Sequence, residues 1–160
     1  MMQSDIVDKW WHLNAYIGIL ANLKNDIEGY AVSPQEKIAL VKKQQEIFNA
    51  MFDEDDLGEF VFYIGQFNEV LTKEYLSIGD TENAIECFEK SVNGWIAYNK
   101  LPNEYEYKNI LIDQRPCLKH KTGGSYTTLA RYKMEIDSNS VYDSVRNDER
   151  FLEAYSKLKT

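Results

Sequence analysis

At 160 residues the chain suits one well-buried domain, with little room for two independent cores at roughly 100–200 residues each. A 44% hydrophobic content argues against disorder, and a net charge of −8 argues against direct nucleic-acid binding, which needs clustered Lys and Arg to neutralise phosphates. Cys87 and Cys117 lie in unlike contexts without metal-type spacing, which points to a reduced, cytoplasmic setting rather than a disulfide framework or a zinc site.

The start, Met1 to Lys9, is acidic where a signal peptide is basic. The run Ala15 to Ala21 is far shorter than the ~20 apolar residues of a membrane helix, so no membrane association is expected. A first helix is predicted from about Asp5 to Lys24, with Ile6, Trp10, Leu13, Ile17 and Leu20 along one stripe and Val7, Trp11, Ile19 and Leu23 widening it. So broad an apolar arc buries against two neighbours or meets a partner. Trp10, Trp11 and Ile17 are therefore the candidate self-association face of a homodimer.

Ser33-Pro34-Gln35-Glu36 is a helix start: the Ser hydroxyl accepts from the Glu36 amide, the Glu side chain reaches back, and Pro34 loses no bond at the first position. This helix directs Ile38, Val41, Ile47, Phe48 and Met51 inward, leaves Lys42, Lys43, Gln44 and Gln45 in water, and ends near Phe52. Asp53 to Asp56 link it to the next helix, predicted from Leu57 to Ile78 with Asp56 as its cap. Gly65, in mid-helix, implies a close helix approach, and Gly79 suits a left-handed C-cap. Asp80 starts the partner helix at once, so the two are antiparallel neighbours. That partner carries Ala84, Ile85, Phe88, Val92, Trp95 and Ile96 inward and stops before Leu101-Pro102.

Past Pro102 the pattern weakens, and Tyr105 to Ile112 fits a helical turn or an extended segment equally well. Ser125 is a candidate cap for a short helix through Ile136, Val141 to Arg146 for a single docked turn, and Asn147 or Asp148 for the start of a last helix with Phe151, Leu152, Tyr155 and Leu158.

Chemical motifs are weak. Asp53-x-Asp55 imitates a calcium loop, yet Ile64 stands where the bidentate Glu is required. Lys121-Thr122-Gly123 has no accompanying Ser-x-x-Lys, and Gly123-Gly124 lacks the Lys-Ser/Thr of a phosphate loop. His12 and His120 have no orienting carboxylate nearby in sequence, and Cys87 beside Phe88 reads as an inert buried thiol. Arg115, Lys119, His120, Lys121 and Arg131 form a local basic cluster, either a solvated loop or a dock for an anion. Catalytic residues, metal ligands and cofactors are accordingly none.

Tyr75, Gly79, Ala84, Phe88 and the small Ser91 occupy the places of a tetratricopeptide repeat (TPR): a late aromatic in the first helix, a turn, a small residue and an aromatic four residues on. Asn68 and Thr72 depart from the repeat pattern, and no Pro closes the second helix. The phrase Tyr142-Asp143-Ser144-Val145-Arg146-Asn147-Asp148-Glu149-Arg150-Phe151 resembles endings found after such repeats in bacterial proteins. The whole order resembles the C-terminal regulatory region of bacterial helix-turn-helix transcriptional regulators of the XRE type. The fold this implies is all-α: TPR-like antiparallel hairpins in an α-α superhelix over a single domain, 1–160, with the best hairpin at 57–100 and an irregular helical cap at 103–160. The function it implies is a non-enzymatic protein- or peptide-interaction module that regulates or senses; the alternative is a structural dimerisation domain. Asn68, Thr72 and Tyr75 are then the candidate partner-binding residues, with Asn68 the most accessible.

Overall fold

Ser33 opens the first described helix, α1 (Pro34–Met51), with its hydroxyl accepting from the Glu36 amide while the Glu36 carboxylate accepts from the Ser33 amide. The computed structural model describes residues 33–52, 56–102, 104–106, 116–118 and 129–158. The predicted helix at 5–24, with Trp10, Trp11, His12 and Ile17, lies outside them, as do Ser125 and all of the basic cluster except the exposed Arg131. By its contacts the chain divides into two compact units, Met1–Gly58 with Glu104–Leu118 and Glu59–Asn103 with Lys119–Thr160.

In the first unit, α1 buries Ile38, Val41, Gln44 and Phe48, and the Phe48 and Phe52 rings lie 4.9 Å apart. Two expectations are corrected. Ile47 is exposed and Gln44 is buried, because at about 100° per residue Ile47 stands half a turn round from Ile38, whereas Gln44 lies within about 60° of both Val41 and Phe48. Past Pro102 an extended segment is found at 104–106: β1 (Glu104–Glu106) pairs antiparallel with β2 (Pro116–Leu118), Tyr105 opposite Cys117.

The second unit is helical throughout its described residues, and it holds the hairpin. A 3-10 turn at Gly58–Phe60 leads into α2 (Val61–Ser77), whose N-terminus has no side-chain cap. Asp56 is buried and lies ahead of that turn. Gly79 at φ +77° ends α2, with its own amide bonded to the Leu76 carbonyl and the Asp80 amide to that of Tyr75, the crossed pattern that favours glycine. Asp80 caps α3 (Thr81–Lys100) by accepting from the Asn83 amide at 3.2 Å. Helices α2 and α3 are in close contact at Gly65 and Gly94, where an added Cβ on Gly65 would stand 2.9 Å from the Trp95 ring.

Two shorter helices complete the unit, α4 (Leu129–Ser138) and α5 (Glu149–Ser156), joined through a 3-10 turn at Ser140–Tyr142. Helix α5 packs on α3. Asp148 caps α5 by accepting from the amides of Arg150 and Phe151 at 2.9 and 3.1 Å. Removing that acceptor in Asp148→Ala is expected to lower stability by about 1 kcal/mol, read as a shift in the urea midpoint at constant slope. No helix among the described residues is long and apolar enough to cross a membrane.

Candidate functional site

The three residues expected to face a partner are buried. Asn68 is 4% exposed, Thr72 1% and Tyr75 6%. The Asn68 amide donates to the Ile64 carbonyl at 2.8 Å, and the Thr72 hydroxyl donates to the Asn68 carbonyl at 2.7 Å. Short polar side chains in mid-helix turn back on their own backbone when no better acceptor is near. The accessibility expected of Asn68 is therefore corrected: both polar groups are consumed locally. Tyr75, Ala84 and Phe88 are core, as their spacing implies, and Cys87 is buried.

The C-terminal motif is a clasp. Tyr142 and Phe151 enclose Phe88, with the Phe88 and Phe151 rings stacked at 4.3 Å and Tyr142 at 6.1 Å. Arg146 pairs with Asp143 at 2.7 Å and donates to the carbonyls of Ile136 and Asp137, which as last-turn groups of α4 have no partner within the helix, and to that of Asn139 just beyond it. Arg150 makes a two-pronged contact with Glu89 and reaches Glu82 at 2.6 Å, fastening α5 to α3. These carboxylates hold its guanidinium charged, well above the ordinary arginine range.

Behind the clasp runs a polar seam. The Ser91 hydroxyl contacts both the Gly65 carbonyl at 2.9 Å and the Tyr132 hydroxyl at 2.8 Å, and Tyr132 is fully buried. Burial drives the Tyr132 phenol far above its usual range. At the rim of the seam Lys73 on α2 bridges Glu69, one turn back at 2.8 Å, and Glu135 on α4. The partners fare differently: burial raises the Glu69 carboxyl, more than Lys73 lowers it, whereas Lys73 is raised because its two carboxylates outweigh its own desolvation.

A carboxyl with a folded pKa above its unfolded value binds its proton more readily when folded. The Glu69 contribution is thus least favourable at neutral pH and improves as pH falls through the raised value toward the ordinary one. Glu69→Gln is expected to stabilise the protein near neutral pH relative to wild type and to lose that advantage at a pH below the ordinary carboxylate range. Urea unfolding of both proteins at the two pH values reads the difference.

An open concavity of about 400 Å³ lies at the C-terminal end of α3, lined by Asn93, Ile96, Asn99, Lys100, Leu129 and Lys157. Asn93, Asn99, Lys100 and Lys157 are exposed, and Ile96 and Leu129 half-buried. Sequence reasoning missed these residues because their spacing spans α3, α4 and the end of α5. Only Lys100 had a local signal, as a cation in the last turn of a helix. Among the described residues, no group of three His, Cys, Asp or Glu side chains is placed to hold a metal ion. No protein-family model matches the chain, and comparison with curated proteins and with solved structures finds no match.

Proposed function

We propose that the chain is a non-enzymatic helical interaction module, the regulatory or sensing part of a bacterial transcriptional regulator. The observation that supports it is the treatment of the hairpin's end. Helix α5 packs on α3, and the Arg150, Tyr142 and Phe151 contacts close that side of the hairpin. A repeat array needs such a cap, because each hairpin leaves an apolar face that only a neighbour or a polar-backed terminal helix covers. With Asn68 and Thr72 bound to their own helix, partner contact falls to exposed apolar side chains of the cap and turn, Ile78, Met134 and Leu152.

The test is expression of the full native reading frame. The reading predicts a basic helix-turn-helix segment in the same protein, and operator binding that changes when Met134 and Leu152 are both replaced by Asp. A native frame without a DNA-binding segment refutes the regulator role. Operator binding indifferent to the double substitution refutes the assignment of the surface. Sedimentation over a range of concentrations distinguishes a sensing module, which remains monomeric, from an obligate dimerisation domain.

A further inference from the structure

The concavity at the end of α3 has a composition at odds with the chain around it. Asp and Glu outnumber Lys and Arg by 26 to 18 overall, yet the two charged residues lining this hollow are Lys100 and Lys157. Among the described residues Lys100 has no ion-pair partner. Lys157 meets Glu153 of its own helix at 3.4 Å, and both side chains are largely solvated, so that contact exchanges cheaply for another anion. The Asn93 side chain is exposed and makes no hydrogen bond among the described residues. The Asn99 amide donates back to the Trp95 carbonyl at 2.8 Å, which fixes the direction of its carboxamide at the rim.

Ile96 and Leu129 supply apolar surface in the same hollow. Its volume of about 400 Å³ falls within the range of small-molecule sites, about 300–1,000 Å³. The carbonyl end of α3 repels an anion, and one lysine is needed to offset it. The second lysine leaves a net attraction.

We infer that this concavity binds a small monocarboxylate with a compact apolar body: its carboxylate between Lys100 and Lys157, with Asn93 as an added donor, and its hydrocarbon on Ile96 and Leu129. The inference does not depend on the interaction reading above, and it assigns the hollow to a free small molecule.

The probe is hexanoate, titrated into the ¹⁵N-labelled full chain, with hexanamide as the uncharged control and inorganic phosphate as the control without an apolar body. The expected result is saturable shifts concentrated at the amides of Asn93, Ile96, Asn99, Lys100 and Leu129, with both controls binding more weakly. Lys100→Ala combined with Lys157→Ala is expected to weaken hexanoate by about ten-fold, two solvated ion pairs' worth, at an unchanged thermal midpoint. Shifts that do not saturate, hexanamide or phosphate binding as tightly as hexanoate, or a double variant with undiminished affinity would each overturn the site. The comparison of hexanoate with hexanamide needs only the wild-type chain, so the test survives a variant that folds poorly.

Discussion

Gly94→Ala is expected to destabilise the protein by about 2 kcal/mol or more, although the same change in a free helix would stabilise it by about 1 kcal/mol. An added methyl group at Gly94 would stand 2.6 Å from the Gly65 amide nitrogen and 3.0 Å from its Cα. The obstacle is backbone, which cannot rotate aside as a flexible side chain can. The two helices must separate, and that separation strains the bond between the Ser91 hydroxyl and the Gly65 carbonyl. It also loosens the Trp95 ring from Gly65. Urea denaturation reads the loss, and near-ultraviolet circular dichroism reads the displaced tryptophan. A stability equal to or above wild type would mean that α2 and α3 do not touch at this point.

Phe88→Ala should cost about 3–5 kcal/mol, a large part of the roughly 5–15 kcal/mol total of an ordinary domain. Phe88 is fully buried and shared between Phe151 and Tyr142, so its loss empties a space bordered by two other aromatic rings. The damage is expected to be directional. Amide exchange should accelerate first at 140–158, where the clasp loses its anchor, while the Gly79 turn keeps its crossed bonds. Phe88→Leu, which keeps most of the volume, is expected to cost about 1.5 kcal/mol. Equal effects of Ala and Leu, or uniform acceleration of exchange over the whole unit, would contradict the anchoring role.

The fold was legible where a local rule decides. Ser33 with Glu36, Gly79 with Asp80, and Asp148 before Phe151 are short-range signals in which the bond that fixes a helix end joins residues no more than five positions apart. Gly65 was legible as a close approach because a mid-helix glycine costs about 1 kcal/mol against alanine unless a neighbour crowds it, here the Trp95 ring. Side-chain facing was less so. Ile47 and Gln44 exchange places because helical angle, not residue type, decides facing, and a glutamine within about 60° of both Val41 and Phe48 shares their buried face.

The candidate site was the least legible part. The repeat resemblance puts Asn68 and Thr72 on a concave, partner-facing side of the first helix, but a carboxamide or hydroxyl four residues past a helical carbonyl can be satisfied without any partner. The Lys73 bridge was half visible, as Glu69 four residues before a lysine; the Glu135 half lies 62 positions away. The lysine hollow draws on residues as distant as Asn93 and Lys157, a relation set only by the packing of α3 with α4 and α5.

Arg150 spans Glu82 and Glu89, which are seven positions apart on α3 and therefore about 10 Å apart along its axis. With Phe151 stacked on Phe88, the fork and the ring together read the axial register and the rotation of the helix they meet. What they require is brief: a carboxylate, six residues on an aromatic, and a carboxylate next to it. A slip of α5 by one residue along α3 would therefore take all three contacts out of reach together, because neighbouring positions on a helix point about 100° apart.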